Sequence, residues 1–217
     1  MRVHLCFHGL GTCAQEREPG EAHYWMAEPV FLGVLDALHD HPDVQLSFDD
    51  GNRSDADIAL PALEERGLSA TFFALAGRLD DPASLSPGDL RDLRSKGMGI
   101  GSHGWNHVPW RGMGDVDARR ELVEARSVLE AASGARITDA ALPLGRYDRR
   151  LLGRLKDARY RTVYTSDRFP ARDGSWLQAR YSVTADDTVE SVMDIVRRRP
   201  GAGDARNVAK SMVKRVR

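Results

Sequence analysis

The feature that most constrains this chain is an alternation repeated almost from end to end. A short apolar run is followed by an amphipathic stretch, and then by another apolar run. The runs lie at 2–8 (RVHLCFH), 44–48 (VQLSF), 70–76 (ATFFALA), 98–102 (MGIGS), 137–144 (ITDAALPL), 161–166 (RTVYTS) and 176–183 (WLQARYSV). Their lengths suit buried strands. The stretches between them carry helical periodicity: Leu60, Leu63 and Leu68 share one face, as do Leu122, Ala125 and Leu129. Gly67, Gly97 and Gly134 stand where such helices should stop. Strand followed by helix, repeated, predicts parallel strands joined by crossover helices. Seven such units predict an α/β fold, either an incomplete (β/α) barrel or an open doubly wound sheet. In both, function collects at the carboxyl ends of the strands.

Composition narrows the function classes. The formal net charge is -1, so no global field steers the chain toward nucleic acid. Aromatic residues are sparse and do not alternate with basic ones as single-strand binding requires. No window approaches a membrane span. Cys6 and Cys13 lack C-x-x-C spacing and read as free thiols in a reducing compartment. The N-terminus lacks the apolar core and cleavage site of a secretory signal, so a cytoplasmic protein is expected. We expect one catalytic domain over 1–200 and a basic tail over 201–217, the tail being a solvated helix or frayed end.

Four strand ends carry chemistry. LSFDDGN (46–52) places two adjacent carboxylates, Asp49 and Asp50, at the mouth of the second run. His8 ends the first run, Ser102-His103 the fourth and Ser166-Asp167 the sixth. In GSHGWNH (101–107), His103 and His107 are four residues apart. On one helical turn both rings point the same way, which suits a divalent metal bound through imidazole nitrogens. Two histidines leave a metal short of ligands. One of the two carboxylates can supply the third, and the other is then free to accept a proton. A cation between them offsets their repulsion.

On these residues the chain resembles the polysaccharide deacetylases (carbohydrate esterase family 4, including the chitooligosaccharide deacetylase homology domain). SFDDG is similar to the family's T-F-D-D-G motif, and SHGWNH to its H-[ST]-x-x-H motif with both histidines kept. The stretch ALPALEERGLSATFFALAGRL between them reads like the family too, and the resemblance covers roughly 44–167. It implies a distorted, incomplete (β/α) barrel of about seven parallel strands. It implies Asp49 as general base, with Asp50, His103 and His107 holding one divalent ion. Zinc is the first choice, and cobalt, manganese or nickel are alternatives. The implied reaction is removal of N-acetyl groups from an N-acetylated sugar, oligosaccharide or glycan precursor. Alternatives are deacylation or deformylation of another amide or ester, or a non-catalytic sugar-binding barrel that keeps the metal site.

The chain departs from the family at two places. The R-x-P-Y-G motif corresponds to ALPLGRY, with Ala141 at the arginine and Leu144 at the tyrosine. The Leu144 N–H can still donate to an oxyanion. Arg146, Arg168 and Arg180 are candidates to replace the arginine that orients the base, and Arg146 and Trp105 are candidates to touch substrate. The family's late histidine is also missing, since no histidine follows His107. His8 is the expected general acid, because strand one neighbours the last strand in a closing barrel. His23 is the second choice.

Overall fold

Each of the seven runs becomes strand in the computed structural model, which describes residues 1–199 and 201–217. The strands are β1 (His4–Phe7), β2 (Gln45–Asp49), β3 (Ala70–Ala74), β4 (Gly99–Ser102), β5 (Asp139–Ala141), β6 (Thr162–Thr165), β7 (Leu177–Ala179) and β8 (Tyr181–Ser182). The helices are α1 (Glu28–Ala37), α2 (Leu60–Glu65), α3 (Pro87–Ser95), α4 (Asp115–Arg119), α5 (Ala125–Ser133), α6 (Arg149–Asp157), α7 (Val189–Arg197) and α8 (Ala202–Val216). The sheet order is β7-β6-β5-β4-β3-β2-β1-β8, with every pairing parallel.

The seventh run decides between barrel and open sheet. Its first half pairs with β6, Val163 opposite Leu177 and Thr165 opposite Ala179. Its second half pairs with β1, Leu5 opposite Tyr181 and Cys6 opposite Ser182. One stretch of six residues thus touches both edges of the sheet and brings them together, with Arg180 at the changeover. The result is a distorted (β/α) barrel whose β7 and β8 share the seventh run.

Strand side chains alternate, so a barrel strand shows one set of residues to the helices and the other to the axis. Leu5, Phe7, Leu46, Phe48 and Phe72 belong to the apolar core, with Val34, Leu35, Leu63, Leu90 and Leu129 of the helical layer. The axial set is polar and aromatic: His4, Ser47, Asp49, Phe73, Tyr164 and Arg180 contact one another through the barrel. Burying a ring of Phe73's size at the axis needs space on β4, and a side chain at Gly101 would collide with that ring.

The basic tail forms α8 and is docked. Tyr147 Oη lies 2.7 Å from Ser211 Oγ and donates to Asp167 at 2.6 Å, while Lys214 Nζ donates to the same carboxylate at 2.6 Å. Asp204, buried at the start of α8, accepts from Tyr181 Oη at 2.9 Å and from Arg198 at 2.8 Å. Among the described residues, no helix is long and apolar enough to cross a membrane.

At the far end of the barrel from the strand tips, His4 is 8 % exposed and tilted against Tyr164. Burial pushes its imidazole down from 6.5 to about 4, and the charges of Arg180 and Arg2 push the same way. Between those pH values the unfolded chain binds the extra proton, so stability falls as pH drops through the window. At pH 4.5 this costs on the order of 2 kcal/mol relative to pH 7. His4→Gln should therefore lose less thermal stability than wild type on going from pH 7 to pH 4.5. Calorimetry showing equal losses would contradict the assignment.

Candidate active site at the strand ends

Asp49 and Asp50 are neighbours in sequence, and alternation alone would send them to opposite sides of the sheet. Asp49 follows the alternation and points along the axis. Asp50 escapes it by a left-handed backbone, with φ of 76°, continued by Gly51 at 63°. A β-carbon at Gly51 would sit 3.3 Å from the Ala74 Cα. Glycine accepts both the conformation and the contact, and the turn folds Asp50 back over the same opening.

The two carboxylates have separate partners. Arg180, with no solvent exposure, binds Asp49 through two parallel bonds: Nη1 to Oδ1 at 2.7 Å and Nη2 to Oδ2 at 2.6 Å. Its guanidinium lies between the rings of Phe73 and Tyr164, 5.3 and 5.7 Å from their centroids. Burial alone would push the Asp49 carboxyl up; Arg180 and His103 outweigh it and hold Asp49 below the ordinary carboxylate range. Of the three arginines considered for this role, Arg180 is the one that reaches Asp49. Arg168 donates to the Ser182 carbonyl, and Arg146 lies exposed on the wall of the opening.

Asp50 faces the histidines. Its Oδ1 lies 3.4 Å from His103 Nε2 and 3.3 Å from His107 Nε2, is buried, and has no hydrogen-bond partner. Burial would raise this carboxyl too, but the adjacent imidazoles of His103, His8 and His107 hold it far below its ordinary range. A third acid, Asp55, is fully buried nearby. Burial and the negative charges of Asp50 and Asp49 push its carboxyl up, well above its ordinary value.

The rings of His103 and His107 meet at a centroid distance of 5.1 Å, but no helical turn brings them together. The segment is an irregular loop with positive φ at Gly104 and His107. The backbone leaves β4 still extended, His103 donating its N–H to Ala74 O of β3. Each ring is fixed through Nδ1. His103 Nδ1 lies 3.0 Å from Ala141 O, and His107 Nδ1 lies 2.7 Å from a Glu18 oxygen. Glu18 also accepts from Arg78 at 2.6 Å. With Nδ1 of each ring committed, both Nε2 atoms face Asp50, the arrangement that prepares imidazoles to bind a cation.

This donor set fits a divalent transition ion. One orphaned carboxylate oxygen and two Nε2 atoms lie within 4.8 Å of one another, and nitrogen with oxygen ligands suits zinc and its neighbours. A second cluster, Cys6, His8 and Asp49, is equally tight, but fits poorly. Arg180 takes both Asp49 oxygens, and burial pushes the Cys6 thiol well above its ordinary value.

His8 reaches the opening from β1, with β8 beside it, as the sequence predicts. Its Nδ1 is buried without a partner and its ring packs 4.9 Å from Tyr24. Burial lowers its pKa, against the pull of Asp50 and Asp49. His23 lies half-exposed, 3.7 Å from Asp186, and does not line the opening. The cavity holds about 330 Å³ and is walled by His8, Tyr24, Asp49, His107, Leu144 and Arg146 among others. Leu144 has φ of 56° and is half exposed. Trp105 and Trp110 lie outside this wall. Trp105 packs on Gly77 with Arg120 stacked 4.8 Å from its ring, and Trp110 is buried in a separate apolar cluster. Sequence reasoning missed Glu18, which no motif marks, and Tyr24, which shares a long loop with the noticed His23 and Trp25.

Comparison with known proteins agrees with this architecture. The polysaccharide deacetylase family model matches residues 38–163, more than half of the chain. Among curated proteins, YxkH of Bacillus subtilis strain 168 is 23% identical over 124 residues, covering 57% of this chain and 44% of that protein. The peptidoglycan-N-acetylmuramic acid deacetylase PdaC of the same organism is 27% identical over 114 residues, covering 52% of this chain and 24% of that protein. The match thus spans less than half the length of either relative. Among solved structures, Streptococcus pyogenes deacetylase PplD in complex with acetate superposes with TM-score 0.78 at 18% identity, covering 91% of this chain and 98% of that one. BC0361, a polysaccharide deacetylase from Bacillus cereus, gives 0.76 at 16% identity, covering 90% and 68%. These likenesses share the barrel, and the family model spans both the paired carboxylates and the paired histidines: the chain belongs to the polysaccharide deacetylase family.

Proposed function

We propose that the chain is a metal-dependent carbohydrate N-deacetylase, with Asp50, His103 and His107 holding one divalent ion, zinc by first choice. The observation that carries this reading is the buried, partnerless Asp50 Oδ1 facing two imidazole nitrogens whose other ring atoms are already committed. An ion held there would supply Lewis acidity, lowering the pKa of water toward about 7 and polarising a carbonyl.

Asp49 takes the proton as water adds to the acetamide carbonyl carbon. Its clamp to Arg180 keeps it ionised and oriented to accept that proton. The Leu144 N–H, at the cavity wall, donates to the oxyanion that forms. His8 delivers a proton to the nitrogen as the C–N bond breaks, and acetate and the free amine leave. Tyr24 and Leu144 offer apolar faces to a sugar ring, and Arg146 at the rim contacts its substituents. The substrate class is an N-acetylated sugar or glycan.

Elemental analysis should find about one divalent ion per chain, lost in His103→Ala and in Asp50→Asn. Asp49→Asn should retain the ion and lose about 10²- to 10⁴-fold in acetate release from N-acetylglucosamine oligomers. Equal metal loss in the Asp49 and Asp50 variants would refute the division of labour, and formate released in place of acetate would move the reading to deformylation. His8→Gln should keep its metal and fold and lose at least about 10²-fold in kcat. Wild-type turnover in that variant would remove His8 from the proton transfer.

A further inference from the structure

Three N–H groups converge on one carboxylate that the proposed chemistry does not use. Glu121 is 2 % exposed. It accepts from the Trp105 backbone N–H at 2.7 Å, the Asn106 backbone N–H at 3.3 Å and the Trp110 ring N–H at 3.3 Å. No Lys or Arg pairs with it among the described residues. A carboxylate buried without a cation persists only where donors replace its hydration. Two of the three donors belong to the three residues that separate His103 from His107. The π-turn Arg120–Glu124, inserted between α4 and α5, carries Glu121 to that position.

The carbonyls of the same loop are held from the other side. Gly104 O accepts from the Ala76 N–H at 2.9 Å, and Trp105 O from the Gly77 N–H at 3.0 Å. The peptide planes between the two histidines are therefore pinned on both edges. Gly104 is part of the arrangement. Its φ is 90°, and a β-carbon there would collide with Glu121 Oε2 and lie 2.9 Å from the Trp110 ring. The space beside the Gly104 α-carbon is occupied by the Glu121 carboxylate and the Trp110 ring, reaching in from outside the loop.

We propose that Glu121 is a positioning residue for the metal centre, setting loop 104–106 so that His103 and His107 present their Nε2 atoms to a common point. This rests on the reading of Asp50, His103 and His107 as metal ligands. Glu121 touches neither ion nor substrate. It acts through the backbone on the angle between two imidazoles. Partners one shell out from a metal typically alter affinity about 10- to 100-fold. Glu121→Gln conserves the volume and one acceptor oxygen but turns an NH₂ group toward the donors.

The test titrates metal-free wild type, Glu121→Gln and Glu121→Ala with Zn²⁺ by calorimetry and with Co²⁺ by visible absorption, well below each Tm. The proposal expects the Zn²⁺ dissociation constant to rise several-fold in Glu121→Gln and about 10- to 100-fold in Glu121→Ala, with the Co²⁺ bands shifted or weakened as the ligand angle relaxes. If Glu121→Ala does not fold, the Gln variant decides alone. Wild-type affinity and an unchanged Co²⁺ spectrum in a folded Gln variant would overturn the positioning role, whatever happens to Tm. A wild type that binds neither ion would remove the metal reading itself, and this proposal with it, and that failure shows in the wild-type arm alone.

Discussion

The structure turns on a guanidinium buried at the barrel axis. Arg180 is held by chain that pairs with β6 before it and β1 after it, so its position exists only once the barrel has closed. Its partner Asp49 is 131 residues away in sequence. Desolvating both charges is expensive, and such a pair persists only with close geometry and further hydrogen bonds. Here Ser47 Oγ gives Arg180 Nη1 a second acceptor at 3.0 Å, and two aromatic faces enclose the cation. Polar side chains on the inward positions of β1 and β2, with glycines on β4, follow from having to house this group.

The pair also settles how two adjacent aspartates coexist. Asp49 is neutralised from below by Arg180, and Asp50 is turned over the opening by a left-handed backbone to face two imidazoles. Each carboxylate has its own counter-group, so mutual repulsion does not force either to take up a proton. Asp55 is pushed the other way, its carboxyl raised by burial and by the negative charges of Asp50 and Asp49. Three acids within one turn of chain thus have three environments, and chemistry at neutral pH needs that difference.

Much of the fold was legible because strand and helix periods differ and each run met its turn signal. All seven runs became strands within a few residues of their sequence bounds, and His8 came to lie beside the last strand as barrel closure requires. The paired aspartates and the paired histidines were visible because each pair is local in sequence, and the fold brings Asp50, His103 and His107 together. What was not legible depends on contacts that no local pattern encodes. Arg180 stood equal with Arg146 and Arg168 until barrel closure singled it out. Glu18 and Glu121 serve the two histidines from a loop and a π-turn, and nothing in their flanking residues marks either. The helical turn expected for His103 and His107 gave way to a loop because β4 hands its backbone on in extended form. Trp105, adjacent to a motif histidine, packs away from the cavity on Gly77. The tail, read as solvated or frayed, is docked through Ser211 and Lys214, polar side chains that look like surface in sequence.

The central claim is that the two carboxylates are divided, Asp50 to a metal ion and Asp49 to Arg180. The most direct measurement is a crystal structure of zinc-loaded protein with anomalous data collected at the zinc edge. The account predicts one strong peak bonded to an Asp50 oxygen and to His103 and His107 Nε2 at about 2.0–2.2 Å, with Asp49 outside bonding distance and still clamped by Arg180. A peak bonded to Asp49, or seated in the Cys6, His8 and Asp49 cluster with Arg180 displaced, would contradict it.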